Sequence, residues 1–172
     1  MTSWCGCVSN LELPMEAVIL IGLQAAGKSS FCRDRYFNTH IRINLDMLKT
    51  RHREKILVQA CLTAKQPFVV DNTNPTPEDR ARYIIPAKEK RFRVVGYYFQ
   101  SVLEDCKRRN AQRQGTQVIP LPGILVTYKK LVLPRWDEGF DALYYVKLGP
   151  NHSFIIKEWS HEISEKREGV KE

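Results

Sequence analysis

Eight consecutive residues, Gly22-Leu23-Gln24-Ala25-Ala26-Gly27-Lys28-Ser29, follow the G-x-x-x-x-G-K-[ST] spacing of a Walker A loop. Phosphate oxygens need several donors converging on a small volume. Glycines let the backbone wrap so that its N–H groups point inward, and a following helix offers the positive end of its dipole. Lys28 has the reach to meet β- and γ-phosphates, Ser29 carries a hydroxyl suited to Mg²⁺, and Ser30 continues into the same first turn. The pattern implies a nucleoside triphosphate site for ATP with Mg²⁺, against the blander alternative of a structural glycine turn.

Two acids stand where they can meet such a site. Asp71 follows the apolar run Phe68-Val69-Val70, the place of a Walker B-type carboxylate. The alternative is that Asp71 and Asn72 simply form a turn. Asp46 lies just past a second short apolar segment; a carboxylate there can orient an acceptor hydroxyl and take its proton. It serves equally as a helix N-cap before Met47-Leu48.

Basic residues offer the complementary charge. Arg109 and Arg113 are four apart on one face of an expected helix, able to close over a nucleotide and neutralise the transferring phosphoryl group. A charge run of this kind also solvates a helix end. Arg80 and Arg82, with Tyr83 beside them, are candidates to hold acceptor phosphates and stack on a base, or alternatively an exposed face and a core tyrosine. The four histidines show no ligand spacing.

These residues need elements to position them. Ala17–Ile21 reads as a strand buried on both faces, Lys28 to Tyr36 as a helix, Ile41 to Asn44 as a second strand, and Met47 to Ala64 as one continuous helix. Phe68 to Val70 is a third strand. Thr76-Pro77-Glu78 opens a helix running to about Lys90, with a capping hydroxyl, an early proline and an early acid. Val94 to Phe99 is a fourth strand, Val102 to about Arg113 a helix, and Leu143 to Leu148 a fifth strand. Alternating strands and helices predict right-handed crossovers and an α/β fold, a parallel β-sheet sandwiched between helices. In such a sheet the carboxyl ends of the strands form the ligand crevice, so Gly22 and Asp71 share an edge.

Composition sets the bounds. The 172 residues, 43% hydrophobic and 27% charged, suit one packed domain and exclude disordered or fibrous classes. A formal charge of +8 favours acidic partners. Five cysteines, Cys5, Cys7, Cys32, Cys61 and Cys106, form no even framework and read as reduced thiols. Cys5 and Cys7 have no second pair at zinc spacing. With no secretory leader or apolar span in view, the expected setting is intracellular, cytoplasmic or nuclear, without a membrane partner. The expected layout is a single domain over 1–172, with an N-terminal extension at 1–15 and a charged tail at 160–172.

Taken in order, Gly22 to Ser29, Asn44-Leu45-Asp46, Asp71-Asn72-Thr73-Asn74-Pro75 with Arg80-Ala81-Arg82-Tyr83, and Arg109 to Thr116 followed by Val118-Ile119-Pro120 resemble the kinase domain of polynucleotide 5′-hydroxyl kinases. The resemblance covers roughly Ala17 to Phe140. It implies a P-loop NTPase fold with a helical lid, and transfer of the ATP γ-phosphate to the 5′-hydroxyl of DNA or RNA. By the same resemblance Asp46 is the general base, Arg113 the lid arginine, Asp71 an acid near metal and acceptor, and Arg82 a strand contact. Asn74 and Lys49 join Arg82 as candidate acceptor contacts.

Two departures bear on the acceptor. Leu45 stands where family members commonly carry arginine, and Lys49 stands where phage-type members carry arginine; lysine keeps the charge but loses the planar fork. The resemblance also implies that phosphatase or ligase steps come from separate end-processing enzymes. Two alternatives stand beside it: a kinase of a small molecule, nucleoside or aminoacyl-tRNA, and an ATP-gated nucleic-acid-binding module with slow hydrolysis.

Overall fold

A computed structural model describes residues 15–115 and 118–160. Cys5, Cys7, nearly all of the expected extension, Thr116 and all but Ser160 of the expected tail lie outside the described residues.

The order of elements is β1 (Glu16–Ile21), α1 (Lys28–Tyr36), β2 (Ile41–Ile43), α2 (Leu45–Leu48), α3 (Arg51–Ala64), β3 (Phe68–Val70), α4 (Pro77–Glu89), β4 (Arg93–Phe99), α5 (Leu103–Ala111), α6 (Leu121–Lys130), β5 (Ala142–Leu148) and β6 (Phe154–Glu158). The strands form one sheet ordered β2-β3-β1-β4-β5-β6. Ala17 to Ile21 are fully buried, as a strand with neighbours and helices on every side must be.

β1 pairs in parallel with β3 and β4, and the chain leaves β1 toward β2 but leaves β3 toward β4 on the far side. The crossovers therefore diverge between β1 and β3. A crevice opens where they part, beyond the carboxyl ends of these strands. Gly22 follows β1 and Asp71 follows β3, so both fall at its mouth.

Three features refine the sequence reading. The expected parallel sheet is present over β1 to β5, and β6 adds one strand antiparallel to β5, joined through the Gly149-Pro150-Asn151 turn. The helix expected from Met47 to Ala64 is two helices. Lys49 adopts a left-handed backbone (φ 69°) between them, and each has its own cap: Asn44 Oδ1 accepts from Met47 N at 3.0 Å and Thr50 Oγ1 from Arg53 N at 3.2 Å. Two local caps outcompete one long helix at this point. Thirdly, α6 was not foreseen, although Pro122 lies in its first turn and apolar residues recur at Leu121, Ile124, Leu125 and Tyr128.

The helix at Thr76 begins as expected, with Thr76 Oγ1 accepting from Asp79 N at 3.2 Å. Cys32, Cys61 and Cys106 are buried free thiols within or beside the core. Burial raises the pKa of each, Cys32 to about 11, so all three stay protonated and unreactive near neutrality.

Candidate active site

The Walker A loop is built as much by its neighbours as by its own sequence. Gly22 has φ +144°, and a Cβ there would stand 3.0 Å from Ser101 Oγ and 3.1 Å from Phe99 O, so only glycine fits without strain. Gly22 N donates to Thr73 O (3.0 Å), Leu23 N to Ser101 Oγ (3.0 Å), and Arg109 Nε to Ala25 O (2.8 Å). Gln24 Nε2 donates to Thr127 Oγ1 on α6 at 2.9 Å. Gly27, at φ +100°, then turns the chain into α1.

Lys28 begins α1 with its ammonium folded back onto the loop, donating to Gly22 O at 2.9 Å and Leu23 O at 2.6 Å. Its pKa is lowered to about 8, chiefly by burial and in smaller part by the positive Arg113, with Asp71 and Asp46 pulling the other way. The lysine thus lies within the field of all three side chains.

One cavity at the crevice is lined from the loop by Gln24, Ala25, Gly27, Lys28, Ser29 and Ser30. Asn44 and Asp46 line it from β2–α2, Asp71, Asn72 and Thr73 from beyond β3, and Arg113 and Ile119 from beyond α5. Five residues singled out from sequence, Lys28, Ser29, Asp46, Asp71 and Arg113, therefore meet around one space. Asp46 is exposed to it and is the second residue of α2, not its cap; Asn44 does the capping. Of the remaining loop residues, Gly22, Leu23 and Ala26 lie behind the lining, their N–H groups engaged with Thr73, Ser101 and Leu23 O.

Asp71 is nearly sealed, its side chain 1% exposed. Its Oδ2 accepts from Arg42 Nε at 2.8 Å and Arg42 Nη2 at 2.6 Å, while Oδ1 has no partner among the described residues. A buried carboxylate oxygen without a donor, lining the same cavity as a serine hydroxyl, is a hard-oxygen set that suits Mg²⁺ held largely by water and phosphate. Ser29 and Asp71 are the residues that would hold it. Among the described residues no cluster of three or more His, Cys, Asp or Glu forms a metal site.

Several expected contacts lie elsewhere. Asn74 is buried with its Nδ2 donating to Leu20 O at 2.7 Å, so it braces β1 and does not face an acceptor. Arg80 is fully buried: Nε and Nη2 meet Glu138 at 2.5 and 2.7 Å, and Nη1 donates to Asn74 O and Val132 O. Arg82 points outward beside Asp79, and Lys49 is exposed at the end of α2; neither lines the cavity. Arg109 holds Ala25 O instead of lining the cavity. Tyr83 is a core residue whose hydroxyl donates to Glu54 Oε1 at 2.8 Å. Burial and the Glu54 carboxylate push that phenol up to about 12.

Four side chains escaped the sequence reading. Arg42 pairs with Asp71, and Asn44 Nδ2 donates to Asp71 O at 2.5 Å. Asn110 clasps the segment after α5 with two bonds to the backbone of Ile119, at 2.8 and 3.0 Å. Glu54, only 4% exposed, accepts from three donors. A buried acid inside a helix at a core-facing position was the available signal for Glu54.

Comparison with known proteins places this geometry. An AAA domain family model matches residues 42–122, from β2 to the start of α6. The bifunctional polynucleotide phosphatase/kinase of Schizosaccharomyces pombe is 29% identical over 130 residues, 73% of this chain and 32% of that protein. A protein of Acanthamoeba polyphaga mimivirus named as a polynucleotide phosphatase/kinase is 29% identical over 135 residues, 74% of this chain and 32% of its own. The chain thus spans about a third of the length of these relatives. Among solved structures, Chaetomium thermophilum Kti12 in complex with ADP-AlF3 superposes with a TM-score of 0.62 at 13% identity, covering 76% of this chain and 88% of that one. A gluconokinase from Sinorhizobium meliloti gives 0.54 at 14% identity, covering 77% and 82%. Among the described residues no helix is long and apolar enough to cross a membrane. The chain has the P-loop NTPase fold, and over about three quarters of its length it is similar in sequence to polynucleotide phosphatase/kinases.

Proposed function

We propose that this chain transfers the γ-phosphoryl group of ATP to the 5′-hydroxyl of a polynucleotide. The observation that carries the reading is the convergence of Lys28, Asp46 and Arg113 on one cavity beyond the Walker A loop. A nucleotide switch needs no acceptor-side carboxylate, whereas a kinase does.

In this reading the loop amides that remain unengaged cradle the phosphates, and Lys28 swings from its two loop carbonyls to the β- and γ-phosphates. Asp46 orients the acceptor hydroxyl in line and takes its proton. Arg113 stabilises charge on the transferring oxygens. Ser29 and Asp71 are the residues that would hold Mg²⁺, which would supply charge neutralisation to the phosphates. The curated relatives support a polynucleotide acceptor, and the net charge of +8 suits one.

A second reading, a P-loop kinase of a small-molecule acceptor, draws on Leu45 and on the place of Lys49 outside the cavity lining. Incubation with γ-labelled ATP, Mg²⁺ and a panel of 5′-hydroxyl DNA, RNA and nucleosides separates the two. Label at oligonucleotide 5′ ends, lost as salt rises, is the expected result. Label confined to nucleosides or small molecules, or release of free phosphate alone, overturns it.

A further inference from the structure

Behind Asp46 lies a buried polar cluster that none of the roles above uses. Glu54 comes from α3, Tyr83 from α4 and Asn72 from the loop beyond β3. Glu54 Oε1 accepts from Asn72 Nδ2 and from Tyr83 Oη, each at 2.8 Å, and Oε2 accepts from Arg51 Nη1 at 2.7 Å. Tyr83 Oη accepts in turn from Arg51 Nη1 at 3.0 Å and Asn72 Nδ2 at 3.1 Å. A carboxylate at 4% exposure is stable only with donors arranged in this way.

The consequence lies at Asn72. Its amide nitrogen is drawn to Glu54 and Tyr83, so its oxygen must face the other way, and there it accepts from Leu45 N at 2.8 Å. Leu45 N is the first amide of α2, immediately before Asp46. A helix of four residues has too few internal bonds to hold its own place. Its orientation is therefore set from outside, by Asn44 bonded to Asp71 O and by Asn72 bonded to Leu45 N.

We propose that Glu54 is a positioning residue for Asp46: by fixing the orientation of the Asn72 amide it holds the first turn of α2, and with it the acceptor-side carboxylate, in the cavity. This rests on the kinase reading for its effect on catalysis, but not for its effect on geometry. An amide at position 54 has one acceptor oxygen where the carboxylate has two; with that oxygen held by the charged Arg51 guanidinium, its NH₂ group faces Asn72. Asn72 would then turn over to meet it and offer an NH₂ group to the Leu45 N–H, breaking that bond.

The test uses the full chain. Glu54→Gln should speed hydrogen exchange at the Leu45 amide at least tenfold without substrate, while exchange in β1 and ATP binding stay as in the parent. Phosphoryl transfer should fall about 100-fold in kcat, the scale expected for a catalytic group displaced by about 1 Å. The paired variant Glu54→Gln with Asn72→Asp reverses donor and acceptor between the two side chains and restores an oxygen opposite Leu45 N. It should return the Leu45 amide to slow exchange, a rescue that mere loss of packing would not give. Unchanged Leu45 exchange in Glu54→Gln, or no recovery in the pair, overturns the proposal. If Glu54→Gln fails to fold, the pair still decides the matter, because the restored cluster should fold and protect Leu45. Exchange that responds as expected while neither parent nor variant transfers phosphate would sink the kinase reading and leave the positioning intact.

Discussion

The two walls of the cavity are made in different ways. The phosphate wall comes from one run of residues, Gln24 to Ser30, shaped by backbone turns at Gly22 and Gly27 and by one lysine. The opposite wall is gathered from three separate stretches, around Asp46, Asp71 and Arg113, and held by side-chain bonds: Arg42 to Asp71, Asn44 to Asp71 O, Asn72 to Leu45 N and Asn110 to Ile119. A backbone cradle tolerates change in most of its side chains. A wall of side-chain bonds depends on single atoms, so acceptor choice can shift through a few substitutions while the ATP half stays constant.

The sharpest division between the walls should come from Asp46→Asn, which keeps shape and removes the base. Phosphoryl transfer should fall about 10²–10⁴-fold while the ATP dissociation constant stays within a factor of about two. Parallel measurement of transfer and equilibrium ATP binding checks this, and equal losses in both would erase the distinction between the walls.

Next in size is the support beneath the acceptor wall. Arg80→Ala leaves Glu138 buried without its partner and frees the Asn74 and Val132 carbonyls, which should cost about 3–5 kcal/mol of unfolding free energy. Arg82→Ala, two residues on, should stay within about 0.5 kcal/mol, since that side chain is half exposed and weakly paired. Urea titration of both variants reads the contrast.

The phosphate wall has its own signature in pH. Free Lys28 titrates near 8, and phosphate binding must raise that value, so binding takes up a proton above pH 8. ATP affinity should weaken about tenfold between pH 7 and 9, with proton uptake visible by calorimetry in buffers of different ionisation heat. Acceptor binding should lack this uptake. Without nucleotide the sign for folding is the reverse: the unfolded chain keeps a proton that folded Lys28 has released, so this group makes stability rise between about pH 8 and 10.5.

A smaller loss than that of Arg80→Ala belongs to Thr76→Ala. It removes the cap of α4 at the foot of the acceptor wall and should lower stability by about 1 kcal/mol, with no change in ATP affinity. A larger loss, seen as a fall in the thermal midpoint of more than several degrees, would mean that the cap also braces the Asn74–Pro75 turn.

The amino-acid sequence by itself made the spacing of the phosphate loop, α1 and the cap at Thr76 legible, because those signals lie between neighbours along the chain, and it marked β1 and β3 as short apolar runs although their pairing partners are distant. Hydrogen bonds of a turn or helix close within four residues, and their signals are therefore local. Only the tertiary structure decided which arginine of α4 faces the core. Arg80 shares the buried stripe of Tyr83, Ile84 and Ala87, at helical spacing, while Arg82 sits about 200° around the helix. The stripe was legible, but its charge hid it, since an arginine is buried only when a partner exists to meet it, and Glu138 is 58 residues away. The same reason covers Arg42 with Asp71 and Asn74 with Leu20: each was settled by a partner from a segment that is met only once the sheet has formed.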